Sequence, residues 1–476
     1  MGALTGKTTR RTFLKASALA GGGLLLGLRL PAGGRYAQAA GTTGGGEGAA
    51  LNAWVRITPD DRVTVLVDRS EMGQGVMTAI PMLVAEELEA DWDRIATEFA
   101  PADEAYINRL LGRQATGGST AVRSAWRPVR EAGAAAREML LRAAAERWGV
   151  PAEECEAEHQ VVRHPGSGSQ ATYGELAGAA AEQPVPEAVF LKDPKDFRLL
   201  GTPRNRLDAP AKVDGSARFG MDVQVDGLLT AQVVRCPVLG GGVKSFDASE
   251  AERVPGVRTV VAIASGVAVV ADGFWPAQKG REALRVEWDY GEHGGLSSAG
   301  IERRLREAAD TGEAATAHSE GDAAGALAGA ARTVEAEYQV PFLAHACMEP
   351  MNCTARIGEG EVEVWAPTQD QSSTQKVAAE IAGVPRDRVH VHTTFLGGGF
   401  GRRSHTDFVA DAVETAKKAG APVKVIWTRE DTTRHDRYRP ATFNRLRAAV
   451  DEGGGITAWR HRIAGPSIMA ANGMLE

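Results

Sequence analysis

The stretch from Leu396 to Arg403, LGGGFGRR, restricts the fold more than any other part of this chain. Its four glycines leave a backbone that can take positive φ angles and approach a bulky anion closely. An alternating run, Val389 to Thr393, precedes this glycine loop, and the pattern predicts an amphipathic helix from near Thr406. A glycine loop between a strand and a helix is typical of sites that hold phosphates or a pterin. The alternative is a glycine-rich connection at a sheet edge.

Length, charge and cysteine spacing exclude several classes of protein. A chain of 476 residues is too long for one ordinary core and predicts two or three domains. The net charge of −7, with no basic run beyond the N-terminus, argues against a nucleic-acid surface. None of the four cysteines forms a C-x-x-C pair, so zinc ribbons and iron–sulfur clusters lack their spacing. Buried thiols are favoured over a Cys347–Cys353 disulfide bond, which an oxidising compartment would allow.

Residues 1–39 have the features of an export signal. Arg10 and Arg11 form a twin-arginine motif, an apolar stretch covers Ala16 to Leu28, and Ala37-Gln38-Ala39 fits a cleavage site. The apolar stretch is too short for a membrane-spanning helix. We therefore expect a periplasmic protein that folds around a cofactor before export and meets a membrane only through a partner. Residues 40–52 are predicted to be a linker.

A second strand, glycine turn and helix are predicted within residues 53–200. Arg62 to Asp68 alternates as a strand, and Glu71 to Gly75, EMGQG, forms what we call the MGQG turn. The helix after it carries Ile80, Leu83, Val84 and Leu88 on one face. The TGGST loop, Thr116 to Thr120, then leads into a long helix over 124–148. The remaining residues, 150–200, predict a short strand pair and a linker.

The rest of the chain predicts two further domains of different pattern. Residues 201–310 contain short β-branched runs separated by turns, including Met221 to Val225, and predict a separate small α+β domain. Residues 330–476 contain two strand–loop–helix units, one with the TQD segment Thr368–Asp370 and one with the glycine loop. The expected fold class is α+β with mixed α/β packing. His345, Cys347, Met348 and Glu349 cluster in sequence, but their spacing does not favour a metal site.

Seven stretches in a consistent order resemble the molybdopterin-binding large subunit of the xanthine dehydrogenase/aldehyde oxidase family. They are EMGQGVMTAIPMLVAEEL, the loop before Ser124, RLDAPAKVDGSARFGMDV, ACMEPMNCTA, APTQDQSSTQ, LGGGFGRR and PVKVIWTRED. In xanthine dehydrogenases the MGQG segment follows the glycine loop, whereas here it precedes the small domain. This order resembles the branch formed by the beta subunits of isoquinoline 1-oxidoreductase. It implies a permuted molybdopterin-binding segment over 53–200, a hammerhead domain over 201–310 and the glycine-loop domain over 330–476.

The resemblance implies a molybdenum–molybdopterin cofactor in the cytosine dinucleotide form, with no protein ligand to the metal. It also implies oxidation of an N-heteroaromatic or aldehyde carbon, with electrons passing to a small subunit with two 2Fe–2S clusters and then to a cytochrome c. The family's cofactor contacts fall on three groups of residues here. These are Gln369 near the molybdenum with Gly398, Gly399, Phe400 and Gly401 along the cofactor, Met72, Gly73, Gln74 and Gly75 at the pterin, and Ser119, Thr120 and Ala121 at the phosphates.

Two departures from the family pattern bear on function. Xanthine dehydrogenases carry a purine-binding acid where this chain has Arg402, Arg403 and Ser404, which disfavours a purine. The arginines suit an anionic partner or a salt-bridged surface. The family's catalytic glutamate lies in a glycine-rich motif that does not occur before Glu476, and Glu349 does not replace it, so the catalytic residue is unassigned. We therefore expect a C-terminally incomplete subunit.

Three alternatives remain beside an exported molybdenum hydroxylase. The missing glutamate favours a truncated, non-catalytic remnant that binds the cofactor. A Rossmann-type oxidoreductase is disfavoured because GGGFG is not G-x-G-x-x-G. An exported binding protein without chemistry has no sequence feature of its own.

Overall fold

The structure, a computed structural model, describes residues 24–29 and 51–471. Its strands are β1 Leu24–Arg29, β2 Leu51–Ile57, β3 Val63–Val67, β4 Ile95–Phe99, β5 Glu156–Glu158, β6 Val161–His164, β7 Ser169–Thr172, β8 Leu229–Val234, β9 Gly242–Asp247, β10 Val257–Ile263, β11 Gly266–Ala271, β12 Arg285–Asp289, β13 Arg332–Val340, β14 Asn352–Ile357, β15 Val362–Ala366, β16 Val389–Thr393, β17 Val423–Ile426, β18 Thr442–Val450 and β19 Ile456–Ala464. Its helices are α1 Val76–Leu88, α2 Ala121–Trp148, α3 Tyr173–Ala180, α4 Ala209–Asp214, α5 Ser249–Glu252, α6 Phe274–Ala283, α7 Ser298–Thr311, α8 Ala323–Ala328, α9 Gln371–Ala382, α10 Asp407–Ala419, α11 Arg429–Arg434 and α12 Ile468–Ala471. The mixed α+β class predicted from the sequence is confirmed. Within these ranges no helix is long and apolar enough to cross a membrane.

The first layer is a four-stranded sheet, β1-β2-β3-β4, covered by α1 and α2. The predicted strand and both helices are confirmed, and the apolar face of α1 is buried. Gly133 lets α2 approach α1 closely, because a Cβ atom there would lie 2.5 Å from the carbonyl oxygen of Val84. The alanine-rich stripe of α2 therefore packs closely on α1 at Val84.

Strand β1 lies inside the predicted export signal. Its backbone pairs antiparallel with β2, from Leu24 opposite Ile57 to Arg29 opposite Leu51. An export signal is expected to lie outside the fold, whereas here these residues extend the sheet along an edge of β2 that would otherwise be unpaired. The rest of the predicted signal and most of the linker lie outside the described residues. Export therefore stays a prediction.

The second layer is a seven-stranded mixed sheet in the order β10-β11-β8-β17-β14-β15-β16. Parallel pairs join β15 to β16 and β17 to β8, and the remaining pairs are antiparallel. Helix α10 packs its apolar face on β14 and β17. Strands from residues 201–310 and from 330–476 share this sheet, so the boundary predicted between those regions does not separate two sheets. The division of the chain into domains stays a prediction.

Smaller sheets complete the fold and correct some sequence predictions. The antiparallel sheet β13-β18-β19 carries α7 and α8, and β5-β6-β7 and β9-β12 form two more. The strand predicted at 221–225 is wrong, since Gly220–Asp222 is a 3-10 turn. Residues 223–225 also have no strand structure, and Gly220 packs so closely on Asn352 and Pro367 that no side chain fits there. Residues 150–200 contain a third strand and α3, which begins with a capping box between Thr172 and Glu175.

Candidate functional site

Gln369 joins three loops that are far apart in sequence. Its Nε2 donates to the carbonyl oxygen of Thr116 and its Oε1 accepts from the amide of Gly401, both at 3.0 Å. The Gln369 backbone bonds Thr116 at 2.7 Å and Arg403 at 2.9 Å. A Cβ atom on Gly399 would lie 2.6 Å from Gln369 Oε1 and 2.8 Å from the sulfur of Met72. The TQD segment, TGGST loop, MGQG turn and glycine loop therefore meet at one place, as the resemblance implies.

The glycine loop has the backbone conformation that its composition predicts. Gly398, Phe400 and Gly401 have φ angles of 89°, 55° and 97°. At Phe400, which has a Cβ atom, this left-handed conformation costs about 1–2 kcal/mol. The Phe400 ring is 60% exposed, and its carbonyl oxygen accepts from Arg439 Nη2 at 3.1 Å. The loop thus presents an aromatic ring on a strained turn beside Gln369.

Arg403 and Glu349 support the glycine loop from inside the protein. Glu349 Oε2 accepts from the amide of Gly397 at 2.9 Å, and Arg403 Nε donates to the carbonyl oxygen of Gly398 at 2.8 Å. The two side chains form an ion pair at 3.1 Å, and Arg403 is fully buried. Burial lowers the pKa of Arg403, while the Glu349 charge opposes that shift. Arg403 is therefore part of the interior rather than a surface salt bridge.

Arg402 is buried in the same way. It pairs with Asp407 and with Asp436, each at 2.9 Å, and Asp436 also pairs with the ring of His345 at 3.1 Å. Both arginines thus form ion pairs with internal acids and are buried, so the interpretation of them as a surface is wrong. Sequence analysis could not find this, because the acidic partners of Arg402 and Arg403 lie up to 54 residues away.

The MGQG turn is organised around Glu71, which sequence analysis did not select. Glu71 Oε1 accepts from the amides of Gly73 at 2.8 Å and Gly75 at 3.1 Å. The Gln74 side chain bonds within the turn, accepting from Met72 N and donating to the Ser70 carbonyl oxygen, each at 2.8 Å. The amides of Gly73 and Gly75 point toward the interior. Direct contact of this turn with a pterin stays a prediction.

The TGGST loop places Ser119, Thr120 and Ala121 at the start of α2. Thr120 uses its hydroxyl locally, donating to Gly117 O and accepting from Asn108 Nδ2, each at 2.7 Å. It makes no side-chain bond to the first turn of this 28-residue helix. Ser119 is exposed with a φ of 53°. A helix N-terminus attracts anions, and phosphate binding at this loop stays a prediction.

Buried polar residues tie the loops together below the surface. Ser70 donates from its hydroxyl to the carbonyl oxygen of Thr368 at 2.6 Å, and its amide donates to Thr116 Oγ1 at 2.9 Å. Next to it, burial raises the pKa of Asp68 to about 6, although its ion-pair partner Arg69 opposes the shift. Arg69 in turn donates to Ser124 Oγ in α2 at 2.8 Å. Residues 68–71 thus connect the MGQG turn to both neighbouring loops.

These residues fit the cofactor that the resemblance implies. Gly73, Gly75, Gly117 and Gly401 have nothing within 4 Å of the place where a Cβ atom would stand, which leaves open space beside bare backbone. No group of three or more His, Cys, Asp or Glu side chains that could hold a metal occurs among the described residues. The N-terminus of α2 borders the site, and a helix N-terminus suits a polyanion rather than a side-chain-ligated metal. Cys347 and Cys353 are free buried thiols, not a disulfide bond.

Comparison with protein families gives two matches. Residues 32–227 and residues 307–467 each match a model described as a molybdopterin cofactor-binding domain. Together the two matches contain all the predicted site residues, and they leave much of the region over 201–310 between them. The first matched region contains the MGQG turn and the second contains the glycine loop, and these two segments lie side by side in the structure.

Relatives of known identity agree with the family matches. The chain is 36% identical to the beta subunit of isoquinoline 1-oxidoreductase from Brevundimonas diminuta, over 88% of this chain and 59% of that protein. It is 31% identical to the membrane-bound aldehyde dehydrogenase (pyrroloquinoline-quinone) of Gluconacetobacter polyoxogenes, over 98% and 62%. It is 26% identical to a nicotinate dehydrogenase subunit of Pseudomonas putida, over 88% and 35%. The matches thus span at most about three fifths of the length of these relatives. From the two domain matches and these relatives, we conclude that the chain belongs to the molybdopterin-binding subunits of the xanthine dehydrogenase family.

Proposed function

We propose that this chain is the cofactor-binding part of a molybdenum hydroxylase large subunit. The proposed reaction oxidises a carbon of an N-heteroaromatic compound or an aldehyde, with oxygen derived from water. The observation that supports it is the meeting of the TQD segment, TGGST loop, MGQG turn and glycine loop at Gln369. The similarity to relatives named for isoquinoline, aldehyde and nicotinate oxidation supports this substrate class.

The chain's own residues hold and shield the cofactor in this proposal. When bound, molybdenum–molybdopterin, proposed here in its cytosine dinucleotide form, supplies a two-electron redox centre. The start of α2 binds its phosphates through backbone amides. Gln369 fixes the glycine loop against the TGGST loop, and the exposed Phe400 ring gives one apolar wall that excludes water.

Glu349 is not the proton-accepting base in this proposal. Its Oε1 accepts from Met221 N at 3.2 Å and from Asn352 Nδ2 at 2.9 Å. Its Oε2 accepts from Gly397 N and Arg403. A carboxylate whose two oxygens each have two donors is a structural support, so the catalytic base stays unassigned.

Partners and location complete the proposal. The four cysteines are free buried thiols, so electrons leave through a separate small subunit with two 2Fe–2S clusters and then reach a cytochrome c. The twin-arginine motif directs the folded complex to the periplasm, where any membrane attachment is through a partner. No nucleic acid takes part.

The test is to produce the chain with the molybdenum-insertion chaperone of its host and measure metal and nucleotide. We expect about one molybdenum per chain by mass spectrometry and release of a cytidine nucleotide on acid treatment, since one cofactor fits one such site. Gln369→Ala should lower both. If the protein contains molybdenum but does not turn over quinoline, nicotinate or benzaldehyde, the proposal is reduced to cofactor binding without catalysis. Protein that matures with no molybdenum would overturn the proposal.

A further inference from the structure

We propose that Glu71 is a positioning residue that fixes the MGQG turn and the glycine loop in one arrangement, with Arg206 as its counter-ion. The link between this arrangement and cofactor binding rests on the proposed function. The inference is based on the contacts of the Glu71 carboxylate and of the Glu71 backbone carbonyl group.

The Glu71 side chain replaces the missing N-cap of α1. Gly75 is the N-cap residue, with a φ of 91°, and it has no side chain to accept from the first turn. Glu71 Oε2 accepts from the amide of Met77 in that turn at 3.1 Å, while Oε1 holds the amides of Gly73 and Gly75. A negative charge is favoured at this end of a helix. One carboxylate therefore sets the shape of the whole turn.

The Glu71 backbone reaches the glycine loop. Its carbonyl oxygen accepts from the amide of Leu396 at 3.1 Å, at the first residue of that loop. Any displacement of residue 71 thus moves both turns together. The two turns also touch at Gly399 and Met72, where there is no room for a Cβ atom. Their relative position is consequently sensitive to small shifts of Glu71.

Arg206 balances the buried charge and adds a third connection. Its Nη2 lies 3.0 Å from Glu71 Oε1, and its Nη1 donates to the carbonyl oxygen of Gly73 at 2.8 Å. Asp208 orients the guanidinium group through bonds of 2.9 Å and 2.7 Å. Arg206 opens the stretch RLDAPAKVDG, for which sequence analysis found no role at the site. The contacts assign that stretch to the support of the MGQG turn.

The experiment compares Glu71→Gln with Glu86→Gln in the full chain. Glu86 is a matched control because it is a fully buried carboxylate, on the helix that the MGQG turn leads into, that accepts the amides of Leu199 at 2.7 Å and Leu200 at 3.0 Å. It contacts Lys192 as Glu71 contacts Arg206, but it touches neither turn of the site. Loss of general stability should therefore be similar in the two variants.

The first readout is hydrogen exchange in protein without cofactor. Because charge-assisted hydrogen bonds are lost, we expect Glu71→Gln to speed exchange about tenfold or more over 72–77 and 396–401, and Glu86→Gln to leave both segments unchanged. If Glu71→Gln does not fold, Arg206→Met, at a partly exposed side chain, should speed exchange over 72–77. Unchanged exchange over 396–401 in folded Glu71→Gln, or unchanged exchange over 72–77 in Arg206→Met, would overturn the proposal.

The second readout is molybdenum content after maturation with the insertion chaperone. We expect Glu71→Gln to hold several-fold less molybdenum than Glu86→Gln at equal protein, because the turns must be preorganised to bind. Equal molybdenum in the two variants would overturn the positioning role. Wild-type protein that takes up no molybdenum would overturn the proposed function instead, while the exchange measurements would still decide the role of Glu71.

Discussion

Three buried carboxylates accept hydrogen bonds from backbone amides of nearby loops. Glu71 serves the MGQG turn, Glu349 serves the glycine loop and Glu86 serves the segment after Lys192. Each has an arginine or lysine partner as well, which lowers the cost of burying the charge. Residues of this kind shape loops that have no secondary structure of their own. At the scale of single residues, the conformation of the site loops therefore depends on these buried carboxylates as much as on the glycines.

Gly399→Ala should lower cofactor content without unfolding the protein. A Cβ atom would lie 2.6 Å from Gln369 Oε1 and 2.8 Å from Met72 Sδ, so these side chains must shift and the Gln369 bond to Gly401 is disturbed. Such overpacking costs about 1–3 kcal/mol, which corresponds to a loss of affinity of roughly five- to 150-fold. Molybdenum per chain measures the effect. The control is Gly358→Ala, whose Cβ atom would meet its nearest neighbour at 3.9 Å, and equal molybdenum in both variants would contradict the prediction.

Asp68 should make the protein less stable as pH rises toward neutrality. Burial raises its folded pKa from 3.8 to about 6, so the folded state binds the proton more tightly than the unfolded state. The associated stability is present below pH 3.8 and is lost between about pH 4 and 6, by at most roughly 3 kcal/mol. Urea unfolding at several pH values should show a flatter dependence for Asp68→Asn than for the wild type. Identical slopes would show that Asp68 does not titrate in this range.

At the scale of elements, α1 packs closely on α2, and each of the two helices begins at a loop of the site. Gly133→Ala should destabilise the protein by about 1–3 kcal/mol, because its Cβ atom would lie 2.5 Å from Val84 O. Gly178→Ala, in the exposed middle of α3 with open space around it, should instead stabilise by about 0.5–1 kcal/mol. Chemical denaturation of both variants measures the difference. A loss of stability at Gly178 equal to that at Gly133 would contradict the packing argument.

The periodic elements could be predicted from the sequence, and the contacts between loops could not. Alternation over Val389–Thr393 and the apolar face of α1 are local patterns, and both correspond to the observed elements. The strand pattern at 221–225 begins instead with a 3-10 turn, and the close packing of Gly220 on Asn352 and Pro367 is a contact that no local pattern reveals. The resemblance brought the right loops together at Gln369. It assigned no role to Glu71, whose importance depends on the partners that the fold supplies.

At the scale of the whole molecule, the seven-stranded sheet links regions that the sequence predicts as separate domains. Val425 in β17 is fully buried, opposite Ala231 of β8 and Cys353 of β14. Val425→Ala should cost about 2 kcal/mol and reduce hydrogen-exchange protection in both β11 and β15, because one sheet unfolds as a unit. Val334→Ala, on the half-exposed face of β13, is the control. Reduced protection on one side of β17 only would show that the two regions unfold independently.

The hydrogen bonds within the MGQG turn and the glycine loop have a consequence for cofactor binding. Glu71, Glu349 and Arg403 shape these turns through contacts within the chain, so the turns do not depend on a bound ligand for their conformation. A binding site that already has its bound conformation does not lose backbone entropy when the ligand binds. Cofactor binding would then require little rearrangement of these two turns, and cofactor-free and cofactor-loaded protein would have the same conformation there.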